Sequence, residues 1–176
     1  CSRRSIRGRC SGAGRIRCVR TILFLCTGNT CRSPMAEAIA RHALDHGEVP
    51  GVEGNVLVVS AGLAAGDGVP YSEETLGALE QLGIAFDGTS KRASAEMIRK
   101  ADRVFCMTEG HLRQAHRLLG DDERSKGHVE LLDPEGDVED PIGHGEAAYH
   151  RLAKRFRKLI PRRLADALVQ RTTPKA

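Results

Sequence analysis

The chain's 176 residues, 40% of them hydrophobic, are enough for one domain around a single sizeable core. No segment reaches the roughly eighteen apolar residues of a bilayer span, so no membrane role is expected. The formal net charge is +4, but residues 1–20 hold seven arginines and no acid, which leaves −3 for the remainder and argues against nucleic-acid binding by the body.

Residues 1–19 are rich in Arg and Ser and have no apolar h-region, unlike a secretory signal. The lack of acids superficially matches an organelle transit peptide, although the segment has almost no apolar face. Its charge would suit nucleic acid or another acidic surface, and its composition predicts a disordered extension. The six cysteines form no disulfide framework: Cys1, Cys10 and Cys18 lie in the leader without metal-ligand spacing, Cys26 and Cys31 share a loop, and Cys106 sits in an apolar strand. A reduced, cytoplasmic domain over 20–170 is expected, followed by a tail at 171–176.

In chain order, the apolar run 22–25 predicts a buried strand and 34–46 a helix, with Gly47 as its C-terminal cap. The run 56–59 predicts a strand buried on both faces, followed by a glycine-rich loop at 64–70 and a helix over 73–82. Ser94 reads as the N-cap of a short helix at 95–100. A third strand is expected at 103–107, a helix at 109–119, a fourth strand at 129–132 and a polar loop at 133–145. A last helix starts near Glu146 and meets Pro161, which is expected to end or kink it. Strands alternating with helices predict an α/β fold with a parallel sheet covered on both faces.

The informative stretch lies between the first strand and the first helix. Gly28 and Asn29 tolerate a left-handed backbone, Ser33 reads as an N-cap, and Pro34 suits a first helical turn. Successive loop amides would then converge at the positive end of a helix dipole, a site for a tetrahedral anion. Cys26 and Arg32, separated by five residues, would meet one bound phosphate there. The helix terminus, Arg32 and a hydrogen bond from Ser33 would all favour the thiolate, giving a nucleophile beneath a phosphate cradle.

The stretch Cys26-Thr27-Gly28-Asn29-Thr30-Cys31-Arg32-Ser33-Pro34-Met35-Ala36-Glu37 resembles the signature of the low-molecular-weight protein-tyrosine-phosphatase family, and within it the protein arginine phosphatase branch. The resemblance covers about 20–169 and includes Ser60-Ala61-Gly62 and Asp140-Pro141. It implies a three-layer α/β/α fold with a four-stranded parallel sheet in the order 2-1-3-4 and the phosphate loop after strand 1. It also implies a cysteine-dependent phosphatase that binds phosphate through Thr27, Gly28, Asn29, Thr30, Cys31 and Ser33, with Ile142 beside the substrate. Phosphorylated proteins or peptides would be its substrates and inorganic phosphate its product. No metal or cofactor is needed, because Arg32 and the loop amides would carry the charge stabilisation.

The chemistry also needs an acid for the leaving group and a base for water. Asp133-Pro134 and Asp140-Pro141 are both candidates on the residues alone. The resemblance selects Asp140, with Gly143 and Tyr149 at matching distances, and leaves Asp133 as a turn residue. Cys31 has two readings: a thiol that traps oxidised Cys26 as a disulfide, which the resemblance implies, or a small loop-packing residue. His144 reads as a solvated loop histidine within reach of a substrate. Relatives often buttress the loop with a histidine ahead of the third strand. This chain has none there, and Ser90 is the stand-in.

Thr30, where tyrosine-specific relatives usually have an aliphatic residue, resembles the arginine branch. The chain has no Trp, two Tyr and four Phe, few rings for a slot that stacks on a phenol. It departs from the branch at Ile142, where an aromatic is usual. Phosphoarginine is therefore the expected substrate and phosphotyrosine the alternative. An arsenate reductase would require further mobile cysteines, and Cys106 is the one offered. A mere phosphate-binding module would have no use for Asp140.

Overall fold

A computed structural model describes residues 19–52 and 55–169. All of the 1–19 leader but Val19, and the whole of the 171–176 tail, lie outside the described residues, together with the expectations placed on them. Strand β1 (Arg20–Cys26) is buried from Ile22 to Cys26, as a central strand must be. It pairs in parallel with β2 (Val56–Gly62) on one side and β3 (Arg103–Cys106) on the other. Strand β4 (Val129–Leu131) adds in parallel to β3, giving the order β2-β1-β3-β4.

Alternation along β1 divides the core in two. Ile22, Phe24 and Cys26 face helices α1 (Arg32–Asp45), α2 (Glu73–Glu80) and α6 (Glu146–Val169), packing with Met35, Ile39, Leu79, Phe156 and Ile160. Leu23 and Leu25 face α3 (Ala95–Lys100) and α4 (Glu109–Leu119), with Ile98, Ala115 and Leu119. Cys26, the last residue of β1, therefore points to the α1 side.

Local chemistry explains most element ends. Ser72, Ser94 and Thr108 accept hydrogen bonds from the third residue of α2, α3 and α4 respectively. Gly47 takes φ 68° just after α1, and Gly83 takes φ 74° after α2, which is two residues shorter than expected. A four-residue helix, α5 (Glu123–Lys126), was not foreseen; Asp122 caps it.

Two expectations are corrected. Strand β2 is not buried on both faces over 56–59: it is an edge strand, and Leu57 is 47% exposed. Helix α1 is capped at Cys31, so Ser33 is its second residue and not its N-cap; the hydroxyl is taken up by the sulfur of Cys26 instead. Of the end or kink expected at Pro161, the end does not occur: α6 runs through the proline to Val169. The proline leaves the Arg157 carbonyl without its helical donor, a cost of about 3 kcal/mol. Phe156, Ile160, Leu164 and Leu168 are all buried on one face, and each contributes about 1.5–3 kcal/mol. Packing on the sheet outweighs the break.

The end of β2 lies against the loop that follows β1. Leu63 N–H donates to the Cys26 carbonyl and Ala64 N–H to the Thr27 carbonyl, both at 2.9 Å. Gly62 permits this approach: a Cβ there would stand 2.6 Å from the Thr27 oxygen and 2.9 Å from the Asn29 nitrogen. Gly62→Ala is expected to cost about 1–3 kcal/mol through overpacking and to lower kcat/KM with it. Thermal unfolding and phosphatase assays check this. A stable, fully active variant would show that the backbone approach is dispensable.

Candidate active site

The 27–31 loop curls around the sulfur of Cys26. Asn29 adopts φ 54°, which turns its N–H onto Cys26 Sγ at 3.2 Å. The Ser33 hydroxyl lies 2.8 Å from the same sulfur. Ser33 Oγ accepts from Asn29 Nδ2 at 3.0 Å, and its nearest acceptor besides the sulfur is the Ala61 carbonyl at 3.5 Å. The shorter contact takes the proton, so the sulfur receives two donors, the arrangement a thiolate requires.

Asn29 is fully buried, and both its amide hydrogens and its amide oxygen are engaged. Nδ2 also donates to Ser60 Oγ at 2.8 Å, and Oδ1 accepts from Lys91 N–H at 2.8 Å. Ser60 in turn donates to Glu37 Oε2 at 2.6 Å, and Glu37, itself buried, is ion-paired with Arg41. This is how the loop is buttressed without the histidine of its relatives. The expectation for Ser90 is corrected: its hydroxyl bonds the Gly66 carbonyl and the Val69 N–H, holding the neighbouring loop. Glu37 went unrecognised as a support, although a carboxylate four positions after Ser33 on an Ala-rich helix was a usable signal.

The 133–145 loop reaches the site through Arg32. Arg32 is 7% exposed at its side chain, donates from Nη2 to Asp140 Oδ2 at 2.5 Å, and donates from Nη1 to the Val138 carbonyl at 3.3 Å. Asp140 is half-exposed, and its other oxygen accepts from Ile142 N–H. Asp133 is engaged elsewhere. It accepts from Glu135 N–H in a turn and pairs with Arg155 at 2.5 Å. Burial opposes its ionisation, but these partners hold its carboxyl below the ordinary range. Ile142 is 59% exposed at the loop tip. His144 is exposed as well, and its N–H donates to the Pro141 carbonyl.

Thr30 is half-buried and its carbonyl accepts from Ser72 N–H at 3.0 Å. Cys31 is buried, its sulfur 3.5 Å from Thr30 Oγ1, Ser72 Oγ and Tyr149 Oη. Burial, followed by the contact with Cys31, raises the Tyr149 phenol well above its ordinary range. Cys106 lies fully inside the core, where burial pushes its thiol up to about 12, so it is no redox partner for the loop.

His111, not singled out in the sequence, closes the loop from the opposite side. It is the third residue of α4 and is buried. Its Nε2 lies 2.8 Å from Thr27 Oγ1 and its Nδ1 3.0 Å from Thr108 Oγ1. Burial and then the Arg32 charge lower its pKa to about 4, against smaller opposing effects of Asp137 and Asp140.

A loop that surrounds the sulfur of Cys26 with hydrogen-bonding groups at the carboxyl end of the first strand of this sheet is the architecture of a cysteine-dependent phosphoprotein phosphatase. The chain belongs to the low molecular weight phosphotyrosine protein phosphatase family, whose profile matches residues 21–173. It is similar to the protein-arginine-phosphatase of Geobacillus stearothermophilus, at 34% identity over 149 residues covering 84% of this chain and 95% of that protein. It is also similar to the low molecular weight protein-tyrosine-phosphatase PtpB of Staphylococcus haemolyticus, at 32% identity over 139 residues, 79% of this chain and 94% of that one. Among solved structures it resembles a mutant YwlE arginine phosphatase with a phosphorylated active-site serine, with TM-score 0.76 and 31% identity over 86% of this chain and 97% of that one. Among the described residues no helix is long and apolar enough to cross a membrane, and no group of three or more His, Cys, Asp or Glu side chains could hold a metal ion.

The buried imidazole sets a pH dependence. Folded His111 titrates near 4 and the unfolded residue near 6.5, so the unfolded state takes up the proton first. Stability is therefore lost as pH falls from about 6.5 towards 4, by up to about 3 kcal/mol. Urea unfolding of the parent should weaken across this window more than that of His111→Gln. Identical profiles would contradict a neutral buried imidazole.

Proposed function

We propose that this chain is a protein arginine phosphatase in which Cys26 is the nucleophile, Arg32 and the loop amides bind phosphate, and Asp140 is the general acid and base. Cys26 attacks phosphorus in line while Arg32 and the amides hold the equatorial oxygens. The P–N bond breaks and the departing guanidine nitrogen takes a proton from Asp140. The resulting phosphocysteine is hydrolysed by water, whose proton returns to Asp140, and inorganic phosphate leaves. The contact between Arg32 and Asp140 supports this division of labour, because it brings acid and anion-binding group to one point. A phosphate competes with Asp140 for Arg32, turning the carboxyl towards the leaving nitrogen.

The fate of the aromatic rings favours phosphoarginine over phosphotyrosine. Of the six, Phe24, Phe105, Phe156, Tyr71 and Tyr149 are buried, and half-buried Phe86 stacks on Tyr71 beneath Arg41. None is left to wall a slot for a phenol, and the acid loop offers Ile142 and Gly143 where a stacking pair would be needed. Thr30 supplies a hydroxyl, and Asp140, ionised once it has given up its proton, can pair with the guanidinium of the departing arginine. The relatives named as arginine phosphatases support the same reading. Thr27, Gly28, Asn29, Cys31 and Ser33 complete the phosphate cradle. Cys31, close in sequence to the nucleophile, serves as its redox partner, and the cytoplasm, with its reduced thiols, is the setting that suits it.

Phosphate release from matched phosphoarginine and phosphotyrosine peptides tests the proposal. Cys26→Ser should be inactive, and Asp140→Asn should lose about 10²–10⁴-fold in kcat. The parent should prefer phosphoarginine, and Thr30→Ile should reduce or reverse that preference. A parent that prefers phosphotyrosine would overturn the arginine assignment and leave a tyrosine phosphatase. Turnover by Cys26→Ser would overturn the mechanism.

A further inference from the structure

The first turn of α4 touches both halves of the site. On one side His111 meets Thr27, the residue that follows the nucleophile. On the other, Glu109 N–H donates to Asp137 Oδ1 at 2.7 Å, three residues before Asp140. The backbone adds a second tie, from Val138 N–H to the Met107 carbonyl at 2.8 Å, and Val138 accepts from Arg32. One helical turn thus lies between the loop of Cys26 and the loop of Asp140.

We infer that His111 is a positioning residue: bridging Thr108 to Thr27, it holds the start of the phosphate loop in register with the acid loop. It acts through Thr27 and not on the substrate. The inference rests on the reading of Cys26 as nucleophile.

The hydrogen-bond roles make the bridge specific. A neutral imidazole, which a pKa near 4 ensures, has one donor and one acceptor nitrogen. Thr108 Oγ1 accepts from His111 N–H at 3.2 Å as the helix cap and keeps its own proton and a second lone pair for Nδ1. Whichever role Nδ1 takes towards Thr108, Nε2 takes the opposite one towards Thr27 Oγ1, whose hydroxyl can match either. The two contacts are therefore complementary, and the cap of α4 and the orientation of Thr27 are one linked unit. The Thr27 carbonyl is held from the other side by Ala64 N–H. With its side chain fixed as well, the residue after Cys26 has little freedom, which keeps the sulfur and the following amides aligned with phosphorus.

The test is a double-mutant cycle on the full chain. An aryl phosphate serves as substrate, so that arginine specificity is not at issue, and inorganic phosphate serves as inhibitor. Thr27→Val and His111→Ala should each lower kcat/KM roughly 10- to 100-fold and weaken phosphate inhibition. The double variant should be no worse than the weaker single one. His111→Gln, which can present a donor to Thr27, should recover part of the loss, as should Thr27→Ser, which keeps the hydroxyl.

Additive losses in the cycle would overturn the inference. So would a His111→Ala variant that melts earlier but retains parental kcat/KM and phosphate inhibition. Should His111→Ala fail to fold, Thr27→Val against Thr27→Ser decides alone, and equal activities would refute the bridge. Activity in Cys26→Ser would refute the underlying mechanism. An inactive Cys26→Ser beside unaffected Thr27 and His111 variants would refute only the positioning role.

Discussion

The buried amide of Asn29 is the constraint on which the site depends. It joins the loop to α1 through Ser33, to β2 through Ser60, and to the 89–93 segment through the Lys91 N–H. Behind Ser60 stands Glu37, whose carboxylate is removed from water and stabilised by the hydroxyl and Arg41. Such a network is strong only while every member is satisfied, since the low dielectric that strengthens each bond also raises the cost of an unpaired group. It holds Asn29 at φ 54°, a conformation that would otherwise be a minor one for a residue with a side chain. The N–H turned onto the Cys26 sulfur is the direct product of that conformation.

The sheet explains why these groups meet. Cys26 ends a central strand, so its neighbours arrive from both sides: the turn after β2 holds the back of the loop, and the first turn of α4, after β3, holds its flank. Parallel strands bring all the carboxyl ends to one edge, where the connecting loops gather. The 133–145 loop follows β4, two strands from β1, and reaches the residue that begins α1 through the contact of Asp140 with Arg32. Asp140 balances the Arg32 charge, while His111 stays neutral because burial and Arg32 both oppose its charge.

Substrate choice follows from where the aromatic rings are used. Four phenylalanines and two tyrosines fill the core, the loop support and the stack beneath Arg41, so none remains for a phenol-binding wall. The partly exposed side chains there include the Thr30 hydroxyl and the Asp140 carboxylate.

Periodicity and motif made much of this legible from sequence. The apolar runs at 22–25 and 56–59, the Ser94 cap, and the loop from Cys26 to Pro34 announced strands, helices and the sharp turn between the first two, because these features are local: a few consecutive side chains decide them. The strand order came from family resemblance and is the one the sheet has; the choice of Asp140 over Asp133 came from the same resemblance, and contacts remote in sequence set the two carboxylates apart, Arg155 engaging Asp133 and Arg32 engaging Asp140. Only the tertiary structure decided the rest. Ser33 leaves the cap to serve the sulfur, α6 runs through Pro161 because its packed face outweighs the missing hydrogen bond, Ser60 and Glu37 buttress Asn29, and His111 reaches Thr27 across 84 residues. Each depends on which groups burial brings together and which hydrogen bonds they must then satisfy, a balance that no local stretch of the chain contains.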